Sequence, residues 1–117
     1  MQGRRIDRVS ELLKRSAAEV LRAEDALRLC GLVNVNEVRV AKDLQSALVF
    51  VGIIGTTEQK KRAMAFLNDH AKRLQNLVGD KMQLRYTAKL KFVDDDSIER
   101  GNRVLAILDE IEKDSQA

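Results

Sequence analysis

The nine residues 46–54, Ser-Ala-Leu-Val-Phe-Val-Gly-Ile-Ile, constrain the fold more than any other stretch of the chain. Ala47, Val49, Val51 and Ile53 share one phase of an extended backbone, while Leu48, Phe50 and Ile54 share the other. A strand that is apolar in both phases must be covered on both faces or leave one of them sticky. The arm before it has Val33 and Val35 in one phase but Val38 and Val40 in the other, which predicts a β-bulge near Asn36 and Glu37. Lys42, Asp43 and their neighbours make the bend between the two arms. The rest of the chain must supply the cover.

Residues 4–28 repeat apolar side chains at Ile6, Val9, Leu13, Ala17, Val20 and Leu27, the period of one long helix of about seven turns. Glu11 with Arg15 and Glu24 with Arg28 have the four-residue spacing of helix-surface ion pairs. Gly31 reads as the stop. After the hairpin, Thr56 with Gln59 three residues on predicts a capping box. Ala63, Phe66, Leu67, Leu74, Leu77 and Val78 continue helically to Gly79, a span of about 33 Å at 1.5 Å per residue. That is roughly twice the mean helix, so a break is expected where the apolar pattern lapses, at His70-Ala71-Lys72.

From Met82 to Val93 the pattern changes to strict alternation. Met82, Leu84, Tyr86, Ala88, Leu90 and Phe92 face one way, opposite Gln83, Arg85, Thr87, Lys89 and Lys91. This predicts a strand with a basic outer side, continued by Arg39 of the first arm. Asp94-Asp95-Asp96-Ser97 then precedes Val104, Leu105, Leu108 and Ile111, the stripe of a last helix. The aspartates lack the spacing of a calcium loop, and Asp96 or Ser97 is read as the helix cap. The stripe is a candidate cover for the outer phase of the second hairpin arm.

Charge divides the chain. Residues 1–92 hold 18 of the 21 Lys and Arg against 10 of the 18 acids, a net of +8, whereas residues 93–117 hold 3 against 8, a net of −5. The cationic body points to a polyanion such as nucleic acid. Four aromatics, Phe50, Phe66, Tyr86 and Phe92, are too few for a reader that stacks bases, so backbone and shape recognition is expected. Arg4, Arg5 and Arg8 stand out, because positive charge at a helix N-terminus opposes the dipole and is better matched to an external anion. A single His and a single Cys offer no nucleophile and base pair, and no second ligand suggests metal. Cys30 is read as packing and His70 as a partly buried side chain. Neither a signal peptide nor a long apolar run is legible, so a cytoplasmic location is expected.

Helices on one face of a three-stranded sheet make an α+β domain, in the order of the type II KH fold. Gly52-Ile53-Ile54-Gly55 spells the GxxG clamp of KH domains, but it closes a strand and is read as a strand end and turn. Val38-Arg39-Val40-Ala41-Lys42-Asp43-Leu44 followed by Ala47-Leu48-Val49-Phe50-Val51 resembles the strand-turn-strand signature of the bacterial ribosome-binding factor A family. Leu90-Lys91-Phe92-Val93-Asp94-Asp95-Asp96-Ser97-Ile98-Glu99-Arg100-Gly101 is similar to its second signature. Arg4–Val9, Leu77–Gly79 and Leu84-Arg85 fit the remaining landmarks, so the resemblance spans nearly the whole chain.

The resemblance implies a type II KH-like domain, helix-strand-strand-helix-kink-helix-strand, with residues 1–93 as the RNA-binding part and 94–117 as an additional acidic C-terminal helix and tail. It implies a non-enzymatic assembly factor, without cofactor and monomeric when free. Such a factor binds the free 30S subunit and 16S rRNA near its 5′-terminal helix, and supports late 30S maturation and rRNA processing, notably in the cold. The family's Ala-x-Gly kink position reads His70-Ala71-Lys72, with lysine in place of the glycine, so a shallower bend is expected. The usual Asp-Pro-Arg-Leu reads Ala26-Leu27-Arg28-Leu29, and a common proline of the third strand is Ala88. RNA contact is expected at Arg4, Arg5, Arg8, Lys72 and Arg73, with Lys42, Lys81 and Arg85 as further candidates. The alternative is a protein-interaction module of the same fold without RNA binding, motivated by the two-faced second strand.

Overall fold

The computed structural model describes residues 2–83 and 88–95, with side chains from Asp7 onward. Along the chain these form α1 (Gln2–Arg22), α2 (Asp25–Arg28), β1 (Leu32–Val40), β2 (Ser46–Ile54), α3 (Thr57–Asp69), α4 (Ala71–Met82) and β3 (Lys89–Asp94). The sheet order is β1-β2-β3, antiparallel between the hairpin arms and parallel between β2 and β3. The two-phase apolar strand is therefore central, paired along both edges. The register shift between Val35 and Glu37 places the expected bulge at Asn36 and returns Val38 and Val40 to the phase of Val33 and Val35.

One phase of the sheet meets the helices. Leu13, Ala17, Val20 and Leu21 of α1, Ala63 and Leu67 of α3, and Leu74 and Val78 of α4 form one cluster with Val38, Val49, Val51, Leu90 and Phe92. Cys30 belongs to this cluster and its thiol lies 3.5 Å from the Ala26 carbonyl oxygen, a packing role as expected. No helix among the described residues is long and apolar enough to cross a membrane.

Local signals set several boundaries. Thr56 and Gln59 form the expected capping box: the Gln59 amide donates to Thr56 Oγ1 at 3.1 Å, and the Thr56 amide donates to Gln59 Oε1 at 2.9 Å. Gly31 adopts φ +85°, where a Cβ would stand 2.4 Å from the Ile54 carbonyl oxygen. Gly52 lies within β2 and Gly55 in the turn beyond it, as a strand end and not a clamp.

Three expectations are corrected. The first helix is not continuous to Arg28: it ends at Arg22, and Glu24 is extended at φ −84°, ψ 109° before a one-turn α2 that buries Leu27. Glu24 thereby leaves the helix surface, and the Glu24–Arg28 pair is replaced by Glu24 with Arg73 and by Arg28 with Asp25. The second long helix does not stop at Gly79. That glycine is buried inside α4, which runs to Met82 and closes on left-handed Gln83 at φ 57°. Hence Met82 and Gln83 are helix end, not strand, and Leu84–Thr87 lie outside the described residues. From Lys89 the predicted alternation holds, with Leu90 and Phe92 buried and Lys89 and Lys91 exposed.

Candidate nucleic-acid interface

The break between α3 and α4 falls at His70, as expected, and needs no glycine. His70 has φ −109° and ψ 17°, a region open to ordinary residues. Its amide donates to the Phe66 carbonyl at 3.0 Å and its own carbonyl accepts from Leu74 at 2.9 Å, so one helix closes where the next begins. The ring is exposed and not partly buried; it lies 4.5 Å from the Phe66 ring, which covers one of its faces. Lys72 in the following turn does not prevent the break.

Lys72 and Arg73 are neighbours in α4 with different environments. Arg73 Nη1 donates to Glu24 Oε1 at 2.7 Å, bringing the α1–α2 junction against the start of α4. That hydrogen bond, and then the attraction of the carboxylate, raise the Arg73 pKa against the opposing effect of desolvation. The guanidinium keeps further N–H donors for a second acceptor. Lys72 is exposed and makes no ion pair among the described residues. Lys81, at the far end of α4, lies 3.5 Å from Glu19, with both side chains about half exposed.

These contacts lay α4 along α1, starting beside Glu24 and ending beside Leu12–Glu19, where Arg15, Lys81 and Gln83 line a shallow cleft. Arg8 is exposed one turn before Leu12 on α1. A second cleft is lined by Asp7, Ser10 and Glu11 of that same end of α1 and by Glu37–Val40 of β1, so the exposed turn residue Lys42 lies at this end too. The expected contacts are thus spread along the α1–α4 pair: Arg8 toward the start of α1, Lys81 beside Glu19 and Arg73 beside Glu24, with Lys72 next to it. Lys72 and Lys81 are nine residues apart along α4, about 13.5 Å at 1.5 Å per residue. The side chains of Arg4 and Arg5, and all of Arg85, lie outside the described residues.

The residue reading missed Lys60-Lys61-Arg62. All three are exposed on α3 and make no ion pair among the described residues. Gln59, just before them, reaches within 3.5 Å of the Leu29 carbonyl, tying this turn to the loop after α2. Their signal was three consecutive cations, masked because they fall between the apolar positions of the helix and resemble a solvated face. Among the described residues no group of three or more His, Cys, Asp or Glu is placed to hold a metal.

A three-stranded sheet backed by helices in type II KH order, without a GxxG clamp and with cations distributed over its helical side, defines a KH-like α+β domain suited to a polyanion. The family model for ribosome-binding factor A matches residues 5–108. A ribosome-binding factor A from Gloeobacter violaceus is 38% identical over 120 aligned residues, covering 100% of this chain and 93% of its own length. The chain belongs to the ribosome-binding factor A family. The crystal structure of ribosome-binding factor A from Thermus thermophilus is similar with a TM-score of 0.63 at 25% identity, covering 76% of this chain and 94% of that one. A homology model of the Thermus thermophilus factor, fitted into the cryo-EM map of a complex of 30S with ribosome-binding factor A, is similar with a TM-score of 0.60 at 28% identity, covering 73% and 90%.

Proposed function

We propose that this protein is a non-enzymatic assembly factor that binds the free 30S subunit. In this reading it contacts 16S rRNA near the 5′-terminal helix and supports late 30S maturation and rRNA processing, including in the cold, in the cytoplasm. The observation that carries this is the nearly full-length family match, together with the fitting of a relative into the map of a 30S complex. Residues 1–93 are the RNA-binding domain and residues 94–117 an acidic appendage. The cations hold phosphates and read the shape of the RNA backbone: Arg4, Arg5, Arg8, Lys42, Lys72, Arg73, Lys81 and Arg85, joined by Lys60, Lys61 and Arg62. Exposed lysines and arginines on rigid helices suit that role, since phosphate contacts set affinity and position.

The interaction-module alternative loses its motivation, because the second hairpin arm is buried on both faces. Sedimentation with separated small subunits, large subunits and assembled ribosomes at two salt concentrations tests the proposal. Salt-sensitive binding to free small subunits alone is expected. Binding to none of the three would overturn it and return the weight to a protein partner.

A further inference from the structure

The sheet has a second buried face that the helices do not account for. Leu48, Phe50 and Val93 are 0%, 2% and 5% exposed, yet they lie in the phase opposite to the helix-packed cluster and outside it. They stand side by side, since Phe50 pairs with Val93 and Leu48 with Lys91. On the outer side of a three-stranded sheet, burial of this depth requires another layer.

The described chain ends in the ladder, with the Asp95 side chain on this face. The Asp95 amide donates to the Val51 carbonyl at 2.8 Å, and Asp95 Oδ2 accepts from Asn36 Nδ2 at 2.9 Å. Asn36 is the bulge residue of β1, so a side chain leaving β3 reaches across the central strand. It crosses at Gly52, where a Cβ would stand 2.5 Å from Asn36 Nδ2. The bulge residue, the glycine and the aspartate thus meet on the outer face, at the edge where the chain continues beyond Asp95.

We propose that residues 97–111 of this chain are the occupant, packing Val104, Leu105, Leu108 and Ile111 on Leu48, Phe50 and Val93. A helix of that length is about 22 Å long and lies within the roughly 30 Å of the nine-residue β2. Charge agrees with the fit. Lys91 and Arg39, the latter already 3.0 Å from Glu37 Oε1, flank Leu48 in register on the outer face, and Asp109, Glu110 and Glu112 fall beside the apolar stripe in the sequence. The outer face around Leu48, Phe50 and Val93 is then an intramolecular docking surface.

Methyl NOE spectroscopy of the full-length chain tests this, using isotope filtering on a mixed labelled and unlabelled sample. Intramolecular NOEs from Leu48 and Val93 methyls to those of Leu105, Leu108 or Ile111 are the expected result. NOEs confined to residues of the sheet would overturn it. Intermolecular NOEs alone would also overturn it, because the occupant would then be a second copy. The readout involves no RNA, so its failure would leave the ribosomal reading untouched.

Discussion

Lys72 and Arg73 look equivalent as letters, but only Arg73 is tied to Glu24, whose side chain is 17% exposed. Lys72→Glu is therefore expected to weaken binding to free small subunits while leaving Tm unchanged. Arg73→Ala should weaken binding and also lower Tm, because it strands a mostly buried carboxylate. Thermal melts beside sedimentation separate the two, and equal Tm values for both variants would contradict the difference in their environments. Gly31 offers a test of backbone constraint. A side chain at φ +85°, with the Ile54 carbonyl oxygen 2.4 Å from its Cβ, must displace the hairpin end. Gly31→Ala should cost on the order of 1–3 kcal/mol in urea denaturation. Both pairing partners were invisible to a reading by periodicity, since Glu24 and Arg73 are 49 residues apart.

At the level of elements, local chemistry explains where α3 begins and the tertiary structure explains where α1 and α4 end. Thr56 supplies an acceptor to the Gln59 amide and Gln59 returns one to Thr56, so the start of α3 is written within four residues. Thr56→Ala should cost about 1 kcal/mol, measured as a lower denaturant midpoint at constant slope. By contrast, no glycine or proline marks the end of α1 at Arg22. The chain breaks there so that Leu27 can enter the core and Glu24 can reach α4. Gly79 carries the letter of a stop but lies buried in α4, lining a narrow cleft with Leu13, Val78 and Leu90.

For the whole molecule, the net of +8 over residues 1–92 and −5 beyond predicts a strongly salt-dependent encounter with RNA. The logarithm of small-subunit affinity should fall linearly with the logarithm of salt concentration. Lys72→Ala should reduce that slope by about 1, as expected for the loss of one phosphate contact. A slope unchanged in the variant would remove Lys72 from the interface. The proposed contacts run from Arg8 near the start of α1 to Lys72 and Arg73 at the start of α4, a spread that suits a surface tracking a backbone better than a pocket.

The sequence by itself determined the features that depend on neighbours along the chain: the bulge at Asn36, the two-faced central strand, the capping box, the break at His70 and the phase of Lys89–Phe92. Each follows from side-chain alternation or a cap within a few residues, which the chain carries wherever it packs. The family signature was legible for the same reason, as runs of adjacent residues. Only the tertiary structure decided that β3 lies parallel to β2, that α1 is interrupted, that α4 passes Gly79, and which cations are held by carboxylates. These outcomes rest on contacts between residues far apart in sequence, where burial and pairing override local preference.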